Sequence, residues 1–453
     1  MFRFVNRFPL LLLVCFLGFA GALRAADSLV WNTNKSQVTA DVQTWNLQTL
    51  LESIAGATGW DIYVEPKTKL RASAKFKDRA PGEALRLLLG NLSYALVPQT
   101  NRPAKLLVFR SSANEATQLV RARRKSTKLD NELIVTMKPG GKLNEKELGA
   151  KITGKIGKLN AYRLEFKDAA AAEEARKKLE GDEDVDLVDS NYAITRPADG
   201  DALSMSSIPG LDLQIKANAA GDGPIVGLID TAIQKQAGRD GFILPGVSEA
   251  GDATLSSDSP SHGTAMIEAI LRGLSMLKDG GKDVAGVRIL PVDIYGDAPY
   301  ASTFQLIQGV VDALKEGANP INMSLGSEGG NELLHRIIKE ASDKGVLFFG
   351  AAGNEPTGSP TYPGAYPEVM AVTAVDRNGK IAPYANFGNW VDLGAPGSVI
   401  VPFNGEPYLV MGTSPATAWA TGLATALKAS GVPTESIPGK MESIMAVPPQ
   451  PSK

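Results

Sequence analysis

Cysteine is nearly missing from this chain, with Cys15 the single example among 453 residues. One thiol excludes an internal disulfide and every zinc site built on several cysteines. Histidine is almost as scarce. His262 and His335 are the only two, which argues against a His-rich metal centre and leaves few candidates for imidazole chemistry. Charge of one sign is not in excess either: Lys+Arg number 47 and Asp+Glu 49, a formal net charge of -2. No basic field exists to attract nucleic acid. Beyond the first 25 residues no apolar run is long enough to cross a bilayer as a helix.

What is present reads as globular protein. Hydrophobic residues make up 43% and charged residues 21%, and the length corresponds to about three domains. The first 25 residues look like a signal peptide: Arg3 and Arg7, then an apolar stretch over 8–22, then small residues at Ala20-Gly21-Ala22 and Ala25-Ala26. Cys15 leaves with it. An uncleaved anchor is the alternative, and Pro9 and the short run argue against it. The mature protein is then exported and either soluble or peripherally attached.

Residues 28–112 form a small α+β unit. Leu47, Leu50, Leu51 and Ile54 occupy one helical face, and Leu85, Leu88, Leu89 and Leu92 repeat the spacing. Strands are expected over 60–64, 70–76, 94–97 and 105–109. This order, with Trp60 after the first helix, resembles the short N-terminal domain of secretins and TonB-dependent receptors. The resemblance implies a Gram-negative periplasmic or envelope setting and a docking role toward an envelope protein. Residues 113–130 read as a basic linker containing Arg121-Ala122-Arg123-Arg124-Lys125. Over 131–197 a second small unit is expected. It has a strand to Met137, a helix over 144–152, a strand over 160–166, a helix from Asp168 to Leu179 and a last strand over 185–188. The region 155–159 would complete a ferredoxin-like β-α-β-β-α-β order. Residues 433–453 read as a Pro-rich tail.

From about Ser206 the pattern changes to short apolar strands alternating with helices. Strands are expected over 225–229, 286–292, 320–323, 346–350 and 369–375, and helices over 264–274, 302–315 and 331–343. That alternation is α/β: a mostly parallel sheet with helices on both faces. Functional residues in such sheets gather at the carboxyl ends of strands. Three segments there carry chemistry. Val226-Gly227-Leu228-Ile229-Asp230 delivers a carboxylate at a strand end. Ser261-His262-Gly263-Thr264 puts a histidine at a helix start. Gly412-Thr413-Ser414-Pro415 puts a serine at another. Each alone has a plainer explanation: a turn former, a structural histidine, an N-cap. Together they offer an orienter, a base and a nucleophile. Asn354, flanked by Gly353 after the apolar segment 346–350, offers an amide donor to an oxyanion.

These segments resemble the subtilisin-like serine proteases. Further matches are Ile321-Asn322-Met323-Ser324-Leu325-Gly326, Ala352-Gly353-Asn354, Tyr362-Pro363-Gly364-Ala365, and Ala395-Pro396-Gly397, so the resemblance spans about residues 208–430. It implies a subtilisin-like protease domain at 206–432. Asp230, His262 and Ser414 would be the triad, Asn354 the oxyanion donor, and Ser324, Leu325, Gly326 and Gly353 would bind an extended polypeptide substrate. It also makes 131–197 a propeptide-like inhibitor, removed between about Arg196 and Ser207. The sequence departs from the family pattern at Ala232, Ala265, Pro415, Ala418 and Trp419. No catalytic group is missing.

The expectation is an exported serine endopeptidase, periplasmic or secreted, made as a zymogen. The alternative is a catalytically silent scaffold that binds peptides or docks in the envelope. No cofactor or metal is expected. Calcium is the open possibility, although Glu249, Asp252 and Asp258 read as solvated residues without ligand spacing.

Overall fold

A computed structural model describes residues 28–32, 37–98, 104–120, 127–199, 201–202, 223–236, 238–277 and 283–449. The expected signal segment and the basic run Arg121–Lys125 lie outside these residues. The chain divides into two units, Met1–Lys125 and Ser126–Lys453.

The first unit contains β1 (Ser28–Asn32), β2 (Gln37–Asn46), α1 (Leu47–Thr58), β3 (Asp61–Val64), β4 (Arg71–Arg79), α2 (Pro81–Leu89), β5 (Ser93–Val97), β6 (Lys105–Phe109) and β7 (Gln118–Val120). They make a three-stranded sheet, β1-β2-β4, and a four-stranded one, β5-β6-β3-β7. Leu47, Leu50, Leu51 and Ile54 on α1, with Leu85, Leu88 and Leu89 on α2, are all buried in one core. The Asn46 side chain caps α1, and Gly59 ends it in the left-handed region that glycine adopts freely. Leu92 packs in the core from beyond α2, because the helix stops at Gly90.

The second unit begins with a small α+β layer: β8 (Lys128–Met137), α3 (Glu145–Leu148), β9 (Lys151–Ile156), β10 (Ala161–Glu165), α4 (Ala169–Leu179) and β11 (Val185–Thr195). Three expectations are corrected. The helix foreseen over 144–152 is a single turn, ended by Gly149 at φ 64, and strand β9 takes up its remainder. The last strand continues to Thr195 instead of stopping at 188. The stretch given to a basic linker supplies the start of β8, and β7 in the other unit.

A larger layer follows: β12 (Asp201–Ala202), β13 (Ile225–Asp230), β14 (Val247–Ser248), α5 (His262–Leu274), β15 (Arg288–Asp293), β16 (Tyr300–Ser302), α6 (Thr303–Lys315), β17 (Ile321–Met323), α7 (Glu332–Ser342), β18 (Phe348–Ala351), β19 (Val369–Val375), β20 (Leu393–Pro396), β21 (Ser398–Phe403), β22 (Glu406–Met411), α8 (Thr413–Ala429) and α9 (Ile437–Ile444). Seven strands form one sheet in the order β14-β15-β13-β17-β18-β19-β20, every pair parallel. The near-continuous burial along β13, β15 and β18 is what a sheet covered on both faces requires. The tail is a fourth correction. Ile437 and Met441 are fully buried, so a one-sided apolar spacing folds residues 437–444 as a helix onto the core.

The small layer is built into the large one. Its sheet runs β16-β11-β8-β10-β9, so a strand of the large layer forms its edge. Ile134, Ile156, Ala161 and Ile194 share a core with Phe304, Leu333 and Tyr366. The Phe304 ring lies where a Cβ on Gly154 would stand, 2.6 Å away, so only glycine admits it. Two polar groups of β11 cap helices of the large layer. Asp189 accepts from Leu333 N at 2.9 Å at the start of α7, and Asn191 from Phe304 N at 3.2 Å at the start of α6.

Glu249, expected to be solvated, is half-buried and hydrogen-bonded to Asp312. Burial and this acidic neighbour push its carboxyl up to about 7. A raised acid favours the protonated folded state. Its stabilisation is complete below the ordinary carboxylate range and fades as pH rises through about 7. Thermal melts between pH 5 and 8 are expected to show a falling midpoint. Glu249→Gln removes Glu249's share of that fall, and an unchanged pH slope in the variant contradicts the account.

Candidate active site

The parallel register lines up the ends of four strands. Asp293 of β15 stands opposite Asp230 of β13, Ile229 opposite Met323 of β17, and Met323 opposite Gly350 of β18. The residues that leave those strands, Asp230, Ser324 and the loop to Asn354, therefore follow one another along one edge at the spacing of neighbouring strands, about 5 Å.

Asp230 is 1% exposed. Its carboxylate accepts from Thr231 N at 2.7 Å and lies 2.8 and 3.0 Å, through its two oxygens, from His262 Nδ1. Since a carboxylate can only accept, Nδ1 carries the proton and a neutral ring keeps its lone pair on Nε2. His262 is the first residue of α5, and the helix start is laced to the strand end. Gly263 N donates to Thr231 Oγ1 at 2.8 Å, and Ser261 Oγ to the Ala232 carbonyl at 2.7 Å. A Cβ at Gly263 would stand 2.3 Å from the Thr231 carbonyl oxygen, so this close approach needs glycine. Ala232 and Ala265, two departures from the family pattern, disturb none of these bonds.

Ser414 occupies the first turn of α8 and is 8% exposed. Its hydroxyl donates to the Ser324 carbonyl at 3.1 Å and makes no bond to His262. The Ser324 hydroxyl donates back to the Ser414 carbonyl at 3.0 Å, Asn322 Nδ2 donates to Ser324 Oγ at 2.9 Å, and Thr421 Oγ1 donates to Asn322 Oδ1 at 3.0 Å. This chain ties the first turn of α8 to the end of β17. Rotation about the Ser414 Cα–Cβ bond is the movement that redirects the hydroxyl. Pro415 costs no hydrogen bond here, because a helix's first N–H groups have no partner inside it.

Asn354 Oδ1 accepts from Thr413 N at 2.7 Å and Thr413 Oγ1 at 3.1 Å. A backbone N–H can only donate, so the contacted atom is the oxygen, and the amide NH2 is the end left for a ligand. Ser414 N also has no partner among the described residues. Two donors of this kind suit an oxyanion. Gly353, at φ 103, takes part through its backbone: its N–H donates to Thr413 Oγ1 at 3.1 Å. Leu325 is buried, and Gly326 lies against Thr361 and Tyr362. His335 is remote in chemistry as well as sequence. It bonds Glu368 at 2.8 Å and stacks on Tyr366 at 4.5 Å.

Two stretches of the chain, one ending at Arg196 and one at 201–202, are each paired with strands of the large layer. Ala193–Thr195 of β11 run antiparallel to β16, and Arg196 N continues the ladder to the Pro299 carbonyl at 2.9 Å. Asp201–Ala202 then pair with Tyr408–Leu409 of β22, the strand that leads into Ser414. The sequence reading placed an extended backbone on Ser324–Gly326 and missed Tyr300–Ser302. Tyr300–Ser302 are too short to show alternation. Asp293 was missed too, although its run Arg288–Asp293 ends in a carboxylate just as 226–230 does. Among the described residues no group of three or more His, Cys, Asp or Glu could hold a metal ion.

Residues 221–442 match the subtilase family, and residues 114–191 match the fervidolysin N-terminal prodomain. A thermostable alkaline protease of Halalkalibacterium halodurans is 32% identical over 56% of this chain and 69% of its own length. Alkaline elastase YaB of Bacillus sp. (strain YaB) is 31% identical over 54% and 67%. The solved structure of an epidermin leader peptide processing serine protease from Staphylococcus aureus shares the fold, with a TM-score of 0.53 at 16% identity over 69% of this chain and 92% of that one.

The helices α5 and α8 meet through glycines. A Cβ at Gly422 would stand 2.1 Å from the Ile270 carbonyl oxygen, and one at Gly273 would stand 2.3 Å from that of Trp419. Gly422→Ala is therefore expected to lower stability by about 1–3 kcal/mol in denaturant titration, or more if the backbone cannot yield. A neutral result contradicts the close helix contact.

Proposed function

The chain belongs to the subtilase family and is a serine endopeptidase; from that premise we propose that Asp230, His262 and Ser414 are its triad. The carrying observation is the buried His262–Asp230 pair at 2.8 Å, one strand from the Ser414 anchor. His262 Nε2 takes the Ser414 proton as the hydroxyl attacks the substrate carbonyl. Asp230 stabilises the imidazolium that forms. The tetrahedral oxyanion is held by Asn354 Nδ2 and Ser414 N, then collapses with loss of the amine, protonated by His262. Water repeats the sequence to release the acid. No step requires a cofactor, and calcium would serve only as a structural ion.

The region matching a prodomain supports synthesis as a zymogen. On this reading β11 inhibits by lying along β16, its Asp189 and Asn191 hold α7 and α6, and maturation cuts the chain between about Arg196 and Ser207. The protease domain then runs from about 206 through α9, and the inhibitor from β8 to about 197. The mature substrate is polypeptide, with Ser324–Gly326 forming a second wall of the cleft and Gly353 shaping the loop that carries Asn354. We further propose that the protein is exported, to the periplasm or the medium. Residues 28–112 dock on an envelope protein in the manner of the short secretin and TonB-receptor domain that their strand and helix order resembles.

A second reading draws on the Ser414 hydroxyl being bonded to Ser324: a silent scaffold that holds peptides without cutting them. Self-processing separates the two. Wild type is expected to yield a new N-terminus between about Arg196 and Ser207 by N-terminal sequencing, and Ser414→Ala to remain joined across 196–207. Identical processing in both proteins contradicts the assignment. Asn354→Ala is expected to lower kcat by about 100–1,000-fold with little change in KM, since the amide meets charge only in the transition state. A rise in KM alone would assign Asn354 to substrate binding.

A further inference from the structure

Four threonines follow one stripe of α8 at a spacing of four residues. Thr413, Thr417, Thr421 and Thr425 are all fully buried. Threonine is a poor helix former, and a hydroxyl bonded to the carbonyl four residues earlier weakens a helix slightly. Thr417, Thr421 and Thr425 each make that bond, at 2.8, 2.9 and 2.7 Å. A buried face that breaks its local preference this regularly is expected where function compensates. Two of the four reach the proposed site: Thr413 bonds Asn354 Oδ1, and Thr421 bonds Asn322 Oδ1.

The direction of every proton behind Ser414 follows from its carbonyl, which can only accept. The Ser324 hydroxyl therefore donates to it, at 3.0 Å. That uses the one proton Ser324 has, so its oxygen accepts from Asn322, and the Asn322 atom 2.9 Å away is Nδ2. Asn322 Oδ1 then faces Thr421 at 3.0 Å and takes the Thr421 proton, shared with the Thr417 carbonyl. Asn322 and Thr421 are 0% exposed and Ser324 1%, so bulk water does not replace a missing donor. Ser414 in turn donates its hydroxyl to the Ser324 carbonyl at 3.1 Å, so Ser324 holds it at both the side chain and the main chain.

We propose that Thr421 is a positioning residue for the reaction. Its proton sets which end of the Asn322 amide meets Ser324. That decides whether the Ser324 hydroxyl points at the Ser414 carbonyl, and so how the first turn of α8 presents the Ser414 hydroxyl and N–H. Without the proton, Asn322 Oδ1 is buried and unpaired, and the amide loses its preference for the orientation that leaves Ser324 a donor. Thr421 acts on Ser414 only through two other side chains. The inference rests on the triad reading and adds the device that holds its nucleophile.

The experiment uses the full-length chain as it matures, with dye-labelled casein as substrate and rates expressed per Ser414 titrated by a fluorophosphonate. Thr421→Val keeps the shape and removes the proton. It is expected to lower kcat about tenfold and leave KM within about twofold of wild type. Thr421→Ser is expected to restore kcat to near the wild-type value. In a Ser324→Ala background, where the relay is already cut, Thr421→Val is expected to change kcat by about twofold or less. Should Thr421→Val fail to fold, Thr421→Cys carries the same comparison, because a thiol of similar volume is a weaker donor, and its kcat is expected to fall below that of Thr421→Ser. Wild-type kcat per titrated site in Thr421→Val, or in Thr421→Cys standing in for it, overturns the proposal whatever the thermal midpoint. So does a Thr421→Ser protein as slow as Thr421→Val, or a second full loss in the Ser324→Ala background. A matured wild type that takes no label on Ser414 overturns the triad reading, and this inference with it.

Discussion

The site depends on backbone brought closer to backbone than any side chain allows. Gly263 lets the start of α5 touch the Thr231 carbonyl, and Gly273 with Gly422 lets α5 and α8 meet main chain to main chain. The first contact sets His262 against Asp230. The second fixes the helix that carries Ser414 relative to the helix that carries His262. Packed interiors do not yield easily, so the positions of the proposed base and nucleophile are set by atoms that are absent as much as by those that bond. The carboxylate is likewise fixed before any substrate arrives, through Thr231 N. Such preorganisation is what makes a polar site effective, because its dipoles need no reorientation during reaction.

Polar groups behind Ser414 supply the remaining rigidity. Thr421, Asn322 and Ser324 form a buried relay from the third turn of α8 to the Ser414 carbonyl. Its members bond one another in sequence, and a buried polar network linked in this way rigidifies the elements it joins. Ser324 thus has two faces. Its side chain holds the helix, and its carbonyl holds the hydroxyl in the present arrangement. The prodomain layer works through similar chemistry, spending its β11 polar groups on the exposed N–H ends of α6 and α7.

Much of this was legible before any coordinates. Apolar runs between helices announced the parallel sheet, because a strand buried on both faces has no polar alternation. Asp230, His262 and Ser414 stood out because each ends or begins an element and histidine is so rare. Other features depend on contacts distant in sequence. Residues 144–152 carry a helical start, yet β10 offers a neighbour to which Lys151–Ile156 pair as a strand. The tail is rich in proline, yet Ile437 and Met441 find a groove beside α8. Tyr300–Ser302 become a strand only because β11 lies against them. The acidic character of the loop at Asp293 could have been read from its resemblance to the Asp230 strand end. Arg196, whose Nη1 donates to the Gly296 carbonyl of that loop, lies 100 residues earlier and had no local signal.

The central claim is that one hydroxyl, one imidazole and one carboxylate act as a single unit. The direct measurement is covalent labelling by a fluorophosphonate probe, followed by mass mapping of the modified residue. The account predicts one adduct, on Ser414, in the matured wild type, and its loss in His262→Ala although the serine is still present. An adduct elsewhere, or undiminished labelling of Ser414 without the imidazole, would contradict it.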